Sequence, residues 1–160
     1  AWAAAKTIPP YYEMAGGQLN FLDEAVVVPN GGRHGQGYVY AVRDVNPADW
    51  FFKAHFYQDP VMPGSLGIEA ILEALQAFAI HQDIGSELTD PHFTHADDHK
   101  VTWMYRGQIV PKDAQMYLEV DITRIEQTEK EIVLVGDASL WKTGMRIYHV
   151  KEIALRVVGE

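Results

Sequence analysis

His55, Gly64 and Glu69 fall within fifteen residues, HFYQDPVMPGSLGIE, and their types fit one chemistry. An imidazole can take a proton near neutral pH. A carboxyl can give one back. A glycine at the start of a helix offers free N–H groups, and the positive end of the helix dipole, to a carbonyl oxygen that gains charge. Base, acid and oxyanion donor together suit α,β-elimination of water from a carbonyl compound. Each group also has an ordinary structural reading. A histidine ahead of a helix is often structural. A glutamate on an apolar helix is rarer, because burying a carboxylate costs several kcal/mol unless it is paired or neutralised.

The elements that must position these groups are legible around them. Pro60 and Pro63 bracket Val61-Met62, and Gly64 follows, so the chain before the helix is stiff and turned. Ser65 to Gln82 has helical length and is apolar nearly all round, as a helix buried on most sides must be. Its polar exceptions Glu69, Glu73 and Gln76 are spaced i, i+4 and i+7, which makes one stripe. Residues 1–20 read as an irregular lead-in. Phe21–Pro29 and Gln36–Asp44 form a β-hairpin, and Asp49–Phe56 an aromatic extended segment. Asp83–His99 is a polar loop. Four long strands follow at Lys100–Val110, Gln115–Glu126, Lys130–Trp141 and Met145–Val158, joined by hairpin-length turns. The pattern is α+β: a curved antiparallel sheet wrapped around one helix, with an edge that a dimer would cover.

Composition narrows the function classes. The 160 residues suit a single domain spanning 1–160. With 22 acidic and 13 basic side chains the formal charge is −9, a poor match for nucleic acid. No cysteine is present, so disulfides, thiolate metal sites and cysteine nucleophiles are excluded. The densest apolar run, Leu66–Ile80, is broken by Glu69, Glu73 and Gln76 and is too short for a membrane span. No secretory signal pattern stands at the start, and a cytoplasmic setting is expected.

The segment HFYQDPVMPGSLGIEA resembles the signature of the β-hydroxyacyl-acyl carrier protein dehydratases, in particular the dehydratase/isomerase branch with its H-F-x-x-D-P-V-M-P-G pattern. NPADWFF before it, YRGQIVP after it and Ser139–Ala154 extend the likeness over most of the chain from about residue 21. GSLGIEAIL with the later YRGQ is similar to the dehydratase domains of polyunsaturated fatty acid synthases. The resemblance implies a hot-dog fold, a homodimer or a tandem pseudo-dimer with a second hot-dog domain, and a substrate carried on acyl carrier protein. It implies no metal and no organic cofactor. The active site would lie in a tunnel at the interface, with the histidine from one fold and the carboxylate from the other. His55 and Glu69 of one chain then need not touch. By the same resemblance His55 removes the C2 proton, Glu69 protonates the leaving hydroxyl, the Gly64 amide binds the thioester carbonyl, and the Val61 carbonyl orients His55. Phe56, Ser65 and Glu73 join the substrate-binding surroundings, and Trp50-Phe51-Phe52 are assigned to the core. A hot-dog thioesterase and a non-catalytic structural hot-dog domain are the alternatives.

Three residues depart from the pattern. The dehydratase/isomerase branch carries aspartate where Glu69 stands, and the extra methylene moves the carboxyl by ~1.5 Å, about one C–C bond. That favours dehydration over double-bond isomerisation. Ser65 replaces a cysteine often found there. Glu73 stands where relatives often have glutamine. If it faces the tunnel beside Glu69, repulsion raises one of the two pKa values; otherwise it pairs with an arginine or reaches solvent. His92, His95, Asp97, Asp98 and His99 are metal-ligand types, but their spacing fits no zinc signature, and a surface loop is expected. Docking an acidic carrier protein would need a local basic patch, for which Arg106, Lys112, Lys142 and Arg146 are candidates.

Overall fold

The computed structural model describes residues 12–159 of the chain. Residues 1–11, the larger part of the expected lead-in, lie outside the described residues. After a short 3₁₀ turn at Gly17–Leu19 come β1 (Glu24–Val28), β2 (Tyr38–Asp44), α1 (Trp50–Ala54) and α2 (Gly64–His81). They are followed by β3 (His92–His95), β4 (Thr102–Tyr105), β5 (Gln115–Gln127), β6 (Glu131–Lys142) and β7 (Met145–Val158). All pairings are antiparallel, in the order β1-β2-β5-β6-β7-β3, with β4 also on β7. β3 pairs with Leu155–Val158 and β4 with Tyr148–Lys151. They therefore act as one interrupted edge strand, and residues 96–101 leave the sheet between them.

Alternation along the strands builds the core. Met116, Leu118, Val120 and Ile122 of β5 point inward with Val39 and Ala41 of β2 and Leu134, Ala138 and Leu140 of β6. Register shifts at Ile122/Arg124 and Gly136/Ala138 curl the sheet. α2 lies in the concavity, packed on β1, β2, β5, β6 and β7. Its buried residues include Gly67, Ala70, Ile71, Glu73, Ala74, Leu75 and Phe78, which occupy most of its circumference. Gly37, at φ 143°, has no room for a Cβ against the Phe78 ring. Among the described residues no helix is long and apolar enough to cross a membrane.

Three expectations change. Asp49–Phe56 is not extended: Trp50–Ala54 forms a helical turn and a half, with Phe52 N–H on the Asp49 carbonyl. Winding puts Phe51 and Phe52 into the core but leaves Trp50 39% exposed, its indole N–H donating to the Gln18 carbonyl. The aromatic composition reads as strand-forming, but tertiary packing overrides that preference. The strand expected over 100–110 is confined to Thr102–Tyr105, because the next residues turn to hold the loop before α2. Finally, the polar loop 83–99 contributes β3.

Candidate active site

α1 ends at His55, whose N–H donates to the Phe51 carbonyl at 2.9 Å. The chain then loops back on itself. The Val61 N–H donates to the His55 carbonyl at 2.8 Å, and His55 Nδ1 lies 3.1 Å from the Val61 carbonyl oxygen. A carbonyl oxygen only accepts, so Nδ1 carries the hydrogen. In the neutral ring Nε2 is then left with its lone pair. The Phe56 ring lies over the imidazole, with centroids 3.7 Å apart, while remaining 61% exposed itself. Val61 is buried, and the Met62 N–H donates to the Ile109 carbonyl at 2.9 Å. The stretch around Ile109 is fixed in turn: Asp113 accepts the Val110 N–H and pairs with Lys142 at 3.0 Å. The loop that sets the histidine is therefore held from both sides by backbone bonds.

α2 starts at Gly64 behind Pro63, and no side chain caps it. Leu66 N–H is taken by the Pro63 carbonyl, which leaves the helix start with backbone donors and the dipole's positive end. Trp103, Tyr105 and Tyr148 pack around this turn, with ring centroids 5.0 to 5.6 Å apart. A Cβ at Gly64 would come within 3.0 Å of Trp103 and 3.3 Å of Tyr105. A Cβ at Gly67 would run into the Tyr148 ring. Tyr148 donates to the Gly64 carbonyl at 3.2 Å. Burial pushes the phenol pKa of both Tyr148 and Tyr105 upward, so both remain donors at neutral pH. The aromatic clamp was not anticipated from sequence. Its members lie 39 residues or more from Gly64, and only the two glycines hint that something must approach closely.

The expected residues occupy distinct surroundings. Glu69 is half-buried and makes no hydrogen bond or ion pair with any described residue, His55 included. Ser65 is exposed. With Ile68, Leu72, Trp103, Ile153 and the segment 95–101 it lines a cleft of about 480 Å³. His95, Asp97 and His99 stand on the wall of that cleft, while Asp98 is tied to Arg156 and His99. The described residues bring no three His, Asp or Glu side chains together for a metal.

Glu73 neither pairs with an arginine nor reaches solvent. It is fully buried, yet its closest partner is not an arginine: Oε2 accepts the Phe21 N–H at 2.8 Å. Oε1 is buried without a partner among the described residues, as is Oε1 of Gln76. Burial raises the Glu73 pKa to about 8. The nearby Glu69 charge adds to the rise, and the Phe21 bond and the Arg43 charge oppose it. Arg43 is itself committed to Asp49 at 2.9 Å and lies over the Phe21 ring.

A curled antiparallel sheet around one long helix, with a histidine loop at the helix start, defines a hot-dog domain. The structure superposes on a dehydratase heterocomplex from Xenorhabdus doucetiae with a TM-score of 0.61. The match covers 93% of this chain and 88% of that one at 12% identity. It also superposes on a provisional thioesterase from Lactococcus lactis, with a TM-score of 0.54, over 88% and 94% of the two chains at 8% identity. At such identities these likenesses establish the fold. Family comes from sequence. Residues 14–151 match the model of the FabA-like domain, and the chain belongs to that family of hot-dog dehydratases. It is 41% identical over 154 residues to one of the subunits of a polyunsaturated fatty acid synthase of Thraustochytrium sp.. The match covers 91% of this chain but about a tenth of that curated relative's length.

Proposed function

We propose that the chain dehydrates a 3-hydroxyacyl thioester, carried on acyl carrier protein, to the trans-2-enoyl thioester. The observation that carries this reading is the His55–Val61 pair, which leaves the Nε2 lone pair available in the loop that leads into the uncapped start of α2. His55 Nε2 takes the C2 proton. The electron pair delocalises into the thioester carbonyl, whose oxygen is met by the Gly64 N–H. The pair returns to form the C2–C3 double bond as the C3–O bond breaks. Glu69 gives its proton to the departing hydroxyl, and water leaves. The imidazolium and the carboxylate then exchange a proton through solvent, which restores both.

Glu69 without a partner among the described residues, and the exposed Phe56, Trp103 and Tyr105, support a site completed by a second hot-dog domain, as a homodimer or a tandem pair. Carrier-protein docking draws on Arg106, Lys112 and Arg146, which are exposed; Lys142 is engaged by Asp113. Glutamate at position 69 supports dehydration without isomerisation. The test is to supply 3-hydroxyacyl carrier protein and follow the loss of water by mass. Release of free acid instead would favour thioester hydrolysis, and no turnover over a range of chain lengths would sink the enzyme reading. Appearance of the 3-cis isomer from enoyl substrate would overturn the restriction to dehydration.

A further inference from the structure

Two buried acceptors on one stripe of α2 lack a donor. Oε1 of Glu73 and Oε1 of Gln76 have no hydrogen-bond partner among the described residues, and the two residues are three apart, within side-chain reach on a helix. Leaving such atoms unsatisfied costs about 1–3 kcal/mol each. A hydrogen on Glu73 Oε1 turns that orphaned acceptor into a donor within helical reach of Gln76. The surroundings favour that hydrogen. Glu73 has no solvent exposure, and the Phe21 N–H on Oε2, which by itself favours the ionised form, leaves Oε1 as the oxygen for a proton. Two charges reach it: Glu69, one turn earlier on α2, opposes ionisation, and Arg43 from β2 favours it. Arg43 is bound to Asp49 and to the Asn20 carbonyl, so its charge is largely spent. The upward pKa shift is consistent with this geometry.

We infer that Glu73 is a positioning residue held as a neutral acid, with Oε1–H turned toward Gln76 and Oε2 clamping Phe21. The turn of α2 that carries Glu69 is thereby fixed against the lead-in segment and β2. Glu69 is left as the one carboxyl of the stripe free to exchange protons. This rests on the assignment of Glu69 as the acid of the proposed reaction. Ionised Glu73 would place a negative charge one turn from Glu69 in an apolar setting.

Infrared difference spectroscopy on the purified protein tests the proton directly. A protonated-carboxyl C=O band is expected at pH 7. It should disappear on titration through about pH 8 and be missing in Glu73→Gln. In Glu69→Gln the midpoint should fall, because one opposing charge is gone. No such band at pH 7, or a band that persists in Glu73→Gln, overturns the inference. Turnover of 3-hydroxyacyl carrier protein tests the positioning role. Glu73→Ala should lower kcat about tenfold or more with little change in KM, and Glu73→Gln should recover most of it. The wild type should lose kcat through about pH 8 while Glu73→Gln does not. Parallel pH profiles, or a loss confined to KM, overturn the positioning role. If the wild type turns over nothing while the band behaves as described, the proposed function fails and the neutral acid stands.

Discussion

The loop 55–64 and the middle of α2, residues 69–76, treat polar and apolar groups in opposite ways. In the loop the polar atoms that set its shape are satisfied, through the paired bonds of His55 and Val61 and the Met62–Ile109 bond. Its aromatic side chains are left out: Phe56 is 61% exposed and Tyr57 91%. In the helix the apolar side chains are buried, and it is the polar atoms of Glu73 and Gln76 that go without partners. A loop needs its own hydrogen bonds to have a shape at all, since no ladder supplies them. A central helix already has its backbone bonds and can hold a strained polar group in place by packing. The first region is thus built for geometry and the second for proton affinity.

Removing the proposed base is the largest disturbance to this contrast. His55→Ala should lower kcat by about 10²–10⁴-fold, the usual range for a general base, with little change in melting temperature. A loss of stability matching the loss of rate would make His55 a structural residue. Glu69→Gln should act similarly on rate, again measured as loss of water from the substrate.

The helix should reveal itself through stability and pH. The folded-state pKa of Glu73 is about 8, against an ordinary value of 4.5, so between these limits the folded chain holds a proton that the unfolded chain has lost. The contribution is fully present below about pH 4.5 and is lost as pH rises through about 8. From the size of the shift it amounts to at most about 5 kcal/mol. Denaturant melts at pH 5, 7 and 9 should therefore show falling stability with rising pH. Glu73→Gln should flatten that slope, and an unchanged slope would mean that another group controls it.

Smaller effects separate the clamp from the core. Gly67→Ala drives a methyl into the Tyr148 ring and should cost about 1–3 kcal/mol, read from thermal or denaturant unfolding. Tyr148→Phe removes the hydroxyl that bonds the Gly64 carbonyl and meets Tyr105, and should cost about 0.5–1.5 kcal/mol. If Tyr148→Phe lowers kcat much more than it lowers stability, the clamp also tunes the helix start.

Several parts of this architecture were open to sequence reading. The long strands at 115–127, 131–142 and 145–158 announce themselves by alternation and hairpin turns. The helix follows from an alanine- and leucine-rich run after Pro-Gly, and its near-uniform apolarity placed it at the centre. The histidine, glycine and carboxylate were visible as residue types in one short segment. What escaped was long-range. Trp50–Phe52 was misread because three aromatics favour a strand locally and wind only to bury two rings. β3 is too short and polar to show until β7 offers it an edge. For Glu73 the sequence left open a place beside Glu69, an arginine or solvent; it meets neither of the last two, because the Phe21 backbone arrives from 52 residues away.

By itself the sequence determined the inventory: which residues can move protons, where the helix and long strands run, and that an acidic, cysteine-free chain excludes whole classes of chemistry. Those follow from composition and local periodicity, which need no knowledge of neighbours. The tertiary structure decided the states of the groups. It chose the hydrogen-bearing nitrogen of His55 by bringing up the Val61 carbonyl, covered the start of α2 with three aromatic rings, and withdrew Glu73 from water. Protonation and exposure depend on what approaches from elsewhere in the chain, and that is fixed only when the sheet closes around the helix.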